Sequence, residues 1–117
     1  MIEQLLRAEN ALALGLLDQA EQIYAQTLAH DPANAIALVG LSRVALERGD
    51  DRASLVFARR ARALDPENAQ AGRMVDRLEE IMRERGDAIP PNESVPADRS
   101  ATTPKRRGLL RRLTGRS

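Results

Sequence analysis

Asp31-Pro32-Ala33-Asn34-Ala35-Ile36-Ala37 returns, 34 residues further on, as Asp65-Pro66-Glu67-Asn68-Ala69-Gln70-Ala71. At the same offset Ala11 meets Ala45, Leu12 meets Leu46 and Gly15 meets Gly49. Chance rarely sets Gly, Asp-Pro and Asn on one period, so the chain is read as an internal repeat. Each punctuating residue has a physical job. Proline ends a helix because it lacks the amide proton and crowds the preceding turn. Asn34 and Asn68 are then placed to cap the helices that follow. Gly15 and Gly49 stand where a helix must stop in the left-handed conformation. Asp18 with Glu21 reads as a capping pair for the next helix, and Asp51 as the corresponding cap in the second copy.

Between these marks apolar residues recur every three or four positions, one face of a helix each time. Leu5, Ala8 and Leu12 do so first, then Leu38, Leu41 and Ala45. Ala20, Ile23, Tyr24 and Leu28 form a second face, matched by Ser54, Phe57, Ala58, Ala61 and Leu64. A third helix, from Ala69 to Arg85, carries Ala71, Met74, Val75, Leu78, Ile81 and Met82 on one stripe. The opposite side is charged, with Glu79 and Arg83 in register for an i, i+4 pair. The spacing predicts helices near 2–14, 18–30, 35–48, 52–64 and 69–85, the last closing the stack with a polar outer face.

Composition narrows the class. In 117 residues, 43% hydrophobic, there is one Tyr, one Phe, no Trp and no Cys. So few aromatic residues argue against a β-sandwich or barrel. The absence of Cys excludes disulfides, thiol catalysis and cysteine-bound metals, and a single His, His30, does not make a histidine metal site. No apolar run approaches the ~20 residues of a membrane span, and the start of the chain lacks a secretory pattern. The expectation is a cytoplasmic, all-α protein.

The repeat resembles the tetratricopeptide repeat, a 34-residue helical hairpin. The residues that carry the resemblance are Ala8, Gly15, Ala20, Tyr24 and Pro32 in residues 1–34, and Leu38, Leu41, Ser42, Gly49, Ser54, Ala61 and Pro66 in residues 35–68. Arg7, Ala11, Thr27, Ala45 and Ala58 depart from the family pattern. The resemblance implies a five-helix hairpin stack over residues 1–86, with 69–85 as capping helix. It also implies a concave face lined by the first helix of each hairpin. On this chain that face takes Ile2, Leu5, Leu6, Glu9, Leu12 and Ala13, then Ile36, Val39, Gly40, Arg43, Leu46 and Glu47. Family members that clamp a peptide's terminal carboxylates use Lys and Asn on this face; those residues are missing here.

From residue 87 the composition changes. Pro90, Pro91, Pro96 and Pro104 stand among polar residues with no helical or strand period, which predicts a disordered linker. The end is basic: Lys105, Arg106, Arg107, Arg111, Arg112 and Arg116 surround Leu109, Leu110 and Leu113. Net charge is −4 over residues 1–34, +1 over 35–68, zero over 69–86 and +4 over 87–117. The acidic first repeat and the basic tail therefore have the signs to attract each other.

No nucleophile–base pair, phosphate loop or metal-ligand set is present, so no enzyme, cofactor or metal is expected. The expected function is a noncatalytic protein-interaction module, an adaptor or assembly factor, taking a peptide or helix in the apolar groove. The uncovered apolar first helix also suits weak self-association. The alternative is attachment to an anionic membrane surface or other anionic partner through the basic tail. Nucleic acid is disfavoured, because the tail lacks aromatic residues on which bases stack.

Overall fold

A computed structural model of the chain describes residues 2–91. Five helices follow in order: α1 (Ile2–Ala13), α2 (Leu17–His30), α3 (Ala35–Glu47), α4 (Asp51–Leu64) and α5 (Ala69–Arg85). Each packs against the next in sequence, and α1 also touches α3. Among the described residues there is no strand. This is the all-α hairpin stack expected, with helix ends within a residue of those read from the sequence. The linker beyond residue 91 and all six basic tail residues lie outside the described residues.

The helix ends show why the repeat punctuation works. Gly15 and Gly49 adopt φ of 78° and 81°. In each turn the residue after the glycine donates its amide five residues back, Leu16 to Ala11 O at 2.8 Å and Asp50 to Ala45 O at 2.9 Å. This closes the helix with a left-handed residue that only glycine adopts without strain. Asn34 Oδ1 accepts from the Ala37 amide at 2.9 Å, and Asn68 Oδ1 from the Ala71 amide at 3.0 Å. Both are the expected caps.

Two capping assignments need correction. Asp50, not Asp51, caps α4, accepting from the Ala53 amide at 3.0 Å. The left-handed Gly49 delivers the chain to Asp50 in a non-helical conformation, so Asp51 is already inside the helix. It pairs instead with Arg85 Nη2 at 2.5 Å. The helix α2 begins one residue before Asp18 and has no side-chain cap. Asp18 and Glu21 both turn to Arg48, Glu21 at 2.8 Å. An arginine from the second hairpin outcompetes the local amides.

The core is continuous from helix to helix. Ala8, Ala11, Leu12, Ile23, Tyr24, Leu41 and Val44 join α1, α2 and α3. Leu38, Val39, Ala61 and Ala71 carry it on, with half-buried Phe57 and Met74 against them. Leu55, Ala58, Val75, Leu78 and Met82 close it between α4 and α5. At the waist of the second hairpin Ser42 and Ser54 replace the Ala8 and Ala20 of the first. Each donates to the other's carbonyl, at 2.7 and 2.8 Å, so neither buried hydroxyl is left unsatisfied.

The α4–α5 junction differs from expectation in three ways. Leu64 is 46% exposed, while Leu55, off the expected face, is fully buried. The cause is that α4 is covered on two sides, by α3 and by α5. Second, Glu79 does not pair with Arg83 but with Arg59 Nη2 at 2.7 Å, across the junction. Third, the chain does not leave the fold at Gly86. Ile89 packs on the α4–α5 cluster, Pro90 is buried, and Arg59 Nη1 donates to the carbonyls of Pro90 at 2.7 Å and Pro91 at 3.1 Å. A proline-rich strap has no period to read, yet two prolines leave their carbonyls free for one guanidinium.

The packing of α5 is tested by one pair of substitutions. Leu78→Asp buries an unpaired carboxylate and lowers stability by about 3–5 kcal/mol. Leu64→Asp, on the exposed end of α4, changes it by less than about 0.5 kcal/mol. Thermal or urea unfolding distinguishes them, and an unchanged midpoint for Leu78→Asp excludes this packing.

Candidate functional site

The first helices of the hairpins border one concavity of about 440 Å³. From α1 it takes Ile2, Leu5, Leu6 and Glu9; from α3, Ile36, Val39 and Arg43; and from the start of α5, Asn68 and Gln70. Seven of the twelve groove residues named from the sequence therefore meet here. Four others, Leu12, Ala13, Leu46 and Glu47, line a second depression with Gly15, and Arg43 borders both. The expected single groove is thus two hollows divided by Arg43.

Exposure separates contact residues from supporting ones. Ile2, Leu6 and Ile36 are 73%, 59% and 56% exposed. Val39 and Leu12 are buried and belong to the core, with Val39 forming floor rather than rim. Leu46 is exposed at the edge of the second hollow. The sequence reading gives Asn68 only as a helix cap and does not place Gln70 on the groove. The signal was present, since Gln70 lies 34 residues after Ile36, which itself lies 34 after Ile2.

A buried tyrosine holds the dividing wall. Arg43 Nη1 donates to Glu9 Oε1 at 2.8 Å, and the Tyr24 hydroxyl donates to Glu9 Oε2. Glu9 and Arg43 are the same repeat position, 34 residues apart. The Tyr24 ring, fully buried, packs against Gly40: a Cβ there would fall 2.3 Å from the ring. Gly40, expected as a groove residue, is instead the seat that lets α2 approach α3. Burial alone would raise the Glu9 carboxyl. The hydrogen bonds from Tyr24 and Arg43, with the Arg43 charge, outweigh it and hold the carboxyl below its usual 4.5. Burial pushes the Tyr24 phenol up, and the Glu9 hydrogen bond and charge push it further, well above the usual 10.0.

Among the described residues nothing else gathers into reactive geometry. His30 Nδ1 donates to Gln26 O at 2.9 Å, a helix-end contact. Among the described residues no cluster of His, Asp and Glu could hold a metal ion, and no helix is long and apolar enough to cross a membrane.

A family model for the tetratricopeptide repeat matches residues 11–78, and the chain belongs to that family. Repeats of this family are typically noncatalytic modules that bind other proteins. The match begins in the second half of α1, after Ile2, Leu5, Leu6 and Glu9. Comparison with curated proteins and with solved structures gives no match.

Two outcomes test the wall. Tyr24 is the sole tyrosine, so tyrosinate absorbance reports it alone. Its phenol stays neutral as pH rises through 10 while the helices persist. The stability its neutral form contributes is present below that pH and lost above it; the Glu9 contribution is present above the ordinary glutamate range and lost as pH falls through its lowered value. Glu9→Gln brings the Tyr24 titration down. Ionisation near pH 10.0 with intact helicity contradicts the network. Separately, Gly40→Ala costs about 1–3 kcal/mol through overpacking against Tyr24. Gly72→Ala in α5, where a Cβ meets nothing within 4 Å, gains about 0.5–1 kcal/mol of helix propensity. Equal effects at the two glycines exclude the ring contact.

Proposed function

We propose that this protein is a noncatalytic adaptor or assembly factor whose concave face receives a peptide or helix of a protein partner. The observation that carries the reading is the ring of exposed Ile2, Leu6 and Ile36 around the concavity, an apolar surface that a partner would remove from water. Glu9, Arg43 and the second hollow with Leu46 and Glu47 supply the polar points that orient the partner. Self-association through the same exposed residues competes with partner binding. A cytoplasmic location belongs to this reading.

A second reading rests on the sequence alone. The basic run from Lys105 to Arg116 is suited to an anionic membrane surface, where each Lys or Arg contributes about 1 kcal/mol. The strap sets where the tail should be removed: after Pro91, so that Arg59 keeps its carbonyls.

The test is co-purification from cells with partners identified by mass spectrometry. The expected result is a partner retained by the chain ending at Pro91 and lost with Leu6→Asp or Ile36→Asp, both of which keep the wild-type thermal midpoint. Loss on tail removal, together with loss of binding to vesicles containing phosphatidylserine, contradicts the groove reading and supports the second.

A further inference from the structure

The concave face is chemically lopsided. Counting by the 34-residue offset, the rows that cross it read Ile2, Ile36, Gln70; then Leu5, Val39, Arg73; then Glu9, Arg43, Arg77. The first two helices contribute apolar side chains and the last contributes hydrogen-bond donors and charge. Helical geometry places the α5 members independently. Gln70 borders the concavity, and residues three and seven further on, Arg73 and Arg77, continue its stripe. Both arginines are exposed, and among the described residues neither has an ion-pair or hydrogen-bond partner. Glu9 and Arg43 neutralise each other in the middle of the face. Glu80, next on the α5 stripe, aligns with Leu12 and Leu46 beside the second hollow. Asn68 and Gln70 line the first concavity on the α5 side; Arg73 and Arg77 stand beyond Gln70 on the same stripe, so that edge carries positive charge that no ion pair holds among the described residues.

We infer that the partner segment is acidic and amphipathic: an apolar ridge seated on Leu5, Leu6 and Ile36, flanked on its α5 side by carboxylates that meet Arg73 and Arg77. This rests on the concave face being the partner site. The chain's own basic tail is the wrong sign for that edge. The acidity of the first repeat does not rescue it, because Arg43 and Arg48 already hold Glu9, Asp18 and Glu21. Exposed charges of this kind act mainly through selection of partner sign and through association rate.

The experiment titrates the full chain with two synthetic amphipathic peptides that share one leucine stripe, flanked by Glu in one and by Lys in the other. A third peptide spans residues 104–117. The Glu peptide binds about tenfold more tightly than the Lys peptide, and added salt erodes that margin. Arg73→Glu with Arg77→Glu reverses the order while leaving the thermal midpoint in place. If the double variant does not fold, the salt dependence of the wild-type chain tests the same point. Preference for the Lys peptide or for residues 104–117 overturns the inference; if that binding is still lost with Leu6→Asp, the groove reading survives. Binding of any peptide that ignores Leu6→Asp, or no binding at all, overturns both.

Discussion

The contact of the Tyr24 ring with Gly40 is the constraint on which the rest depends. It brings α2 onto α3, so it joins the two hairpins rather than either one internally. The hydroxyl at the end of the ring then reaches Glu9 on α1, which also receives Arg43 from α3. One side chain thus sets the spacing of three helices and fixes the wall between the two hollows. A glycine in mid-helix is ordinarily unfavourable by about 0.5–1 kcal/mol relative to alanine. Here it is the condition for an aromatic ring to lie between helices in a chain almost without aromatic residues.

Electrostatics reinforces the same stacking. Glu9–Arg43 and Asp51–Arg85 each link residues one full repeat apart, and Arg48 and Arg59 each tie one helix to another across a hairpin junction. Pairs on the surface contribute little individually. Their value is in register, because a slip of one hairpin against the next would leave each arginine opposite the wrong partner. Using the charges internally also decides what remains for others. Three of the five acids of the first repeat are held by arginines, while Arg73 and Arg77 on α5 have no ion pair among the described residues.

Much of this was legible in the residues themselves. Asp-Pro, Asn and Gly recur at 34, and their roles in ending and starting helices are local, so helix ends and the two Asn caps follow without tertiary information. Seven of the twelve named groove residues share one concavity because a repeat carries its faces with it. What could not be read depended on contacts between hairpins. Asp18 and Glu21 satisfy every local rule for a cap, yet Arg48 from the next hairpin takes both. Leu55 lies off the stripe that faces α3 and is buried only because α5 covers it. Residues 87–91 have no period at all, and their order comes from Ile89 packing on the α4–α5 cluster and from one guanidinium on α4. Gln70, Arg73 and Arg77 were within reach of the offset, but a helix read as a polar cap does not suggest a binding edge.

Tyr24 joins the two hairpins into one cooperative unit. With no Trp and one Tyr, the intrinsic fluorescence of the chain comes from that junction alone. Denaturant unfolding followed by Tyr24 fluorescence and by far-ultraviolet helicity tests this joining directly. Coincident transitions with one midpoint are expected, as two-state unfolding requires. A Tyr24 transition completed at lower denaturant, while most of the helicity persists, would contradict it.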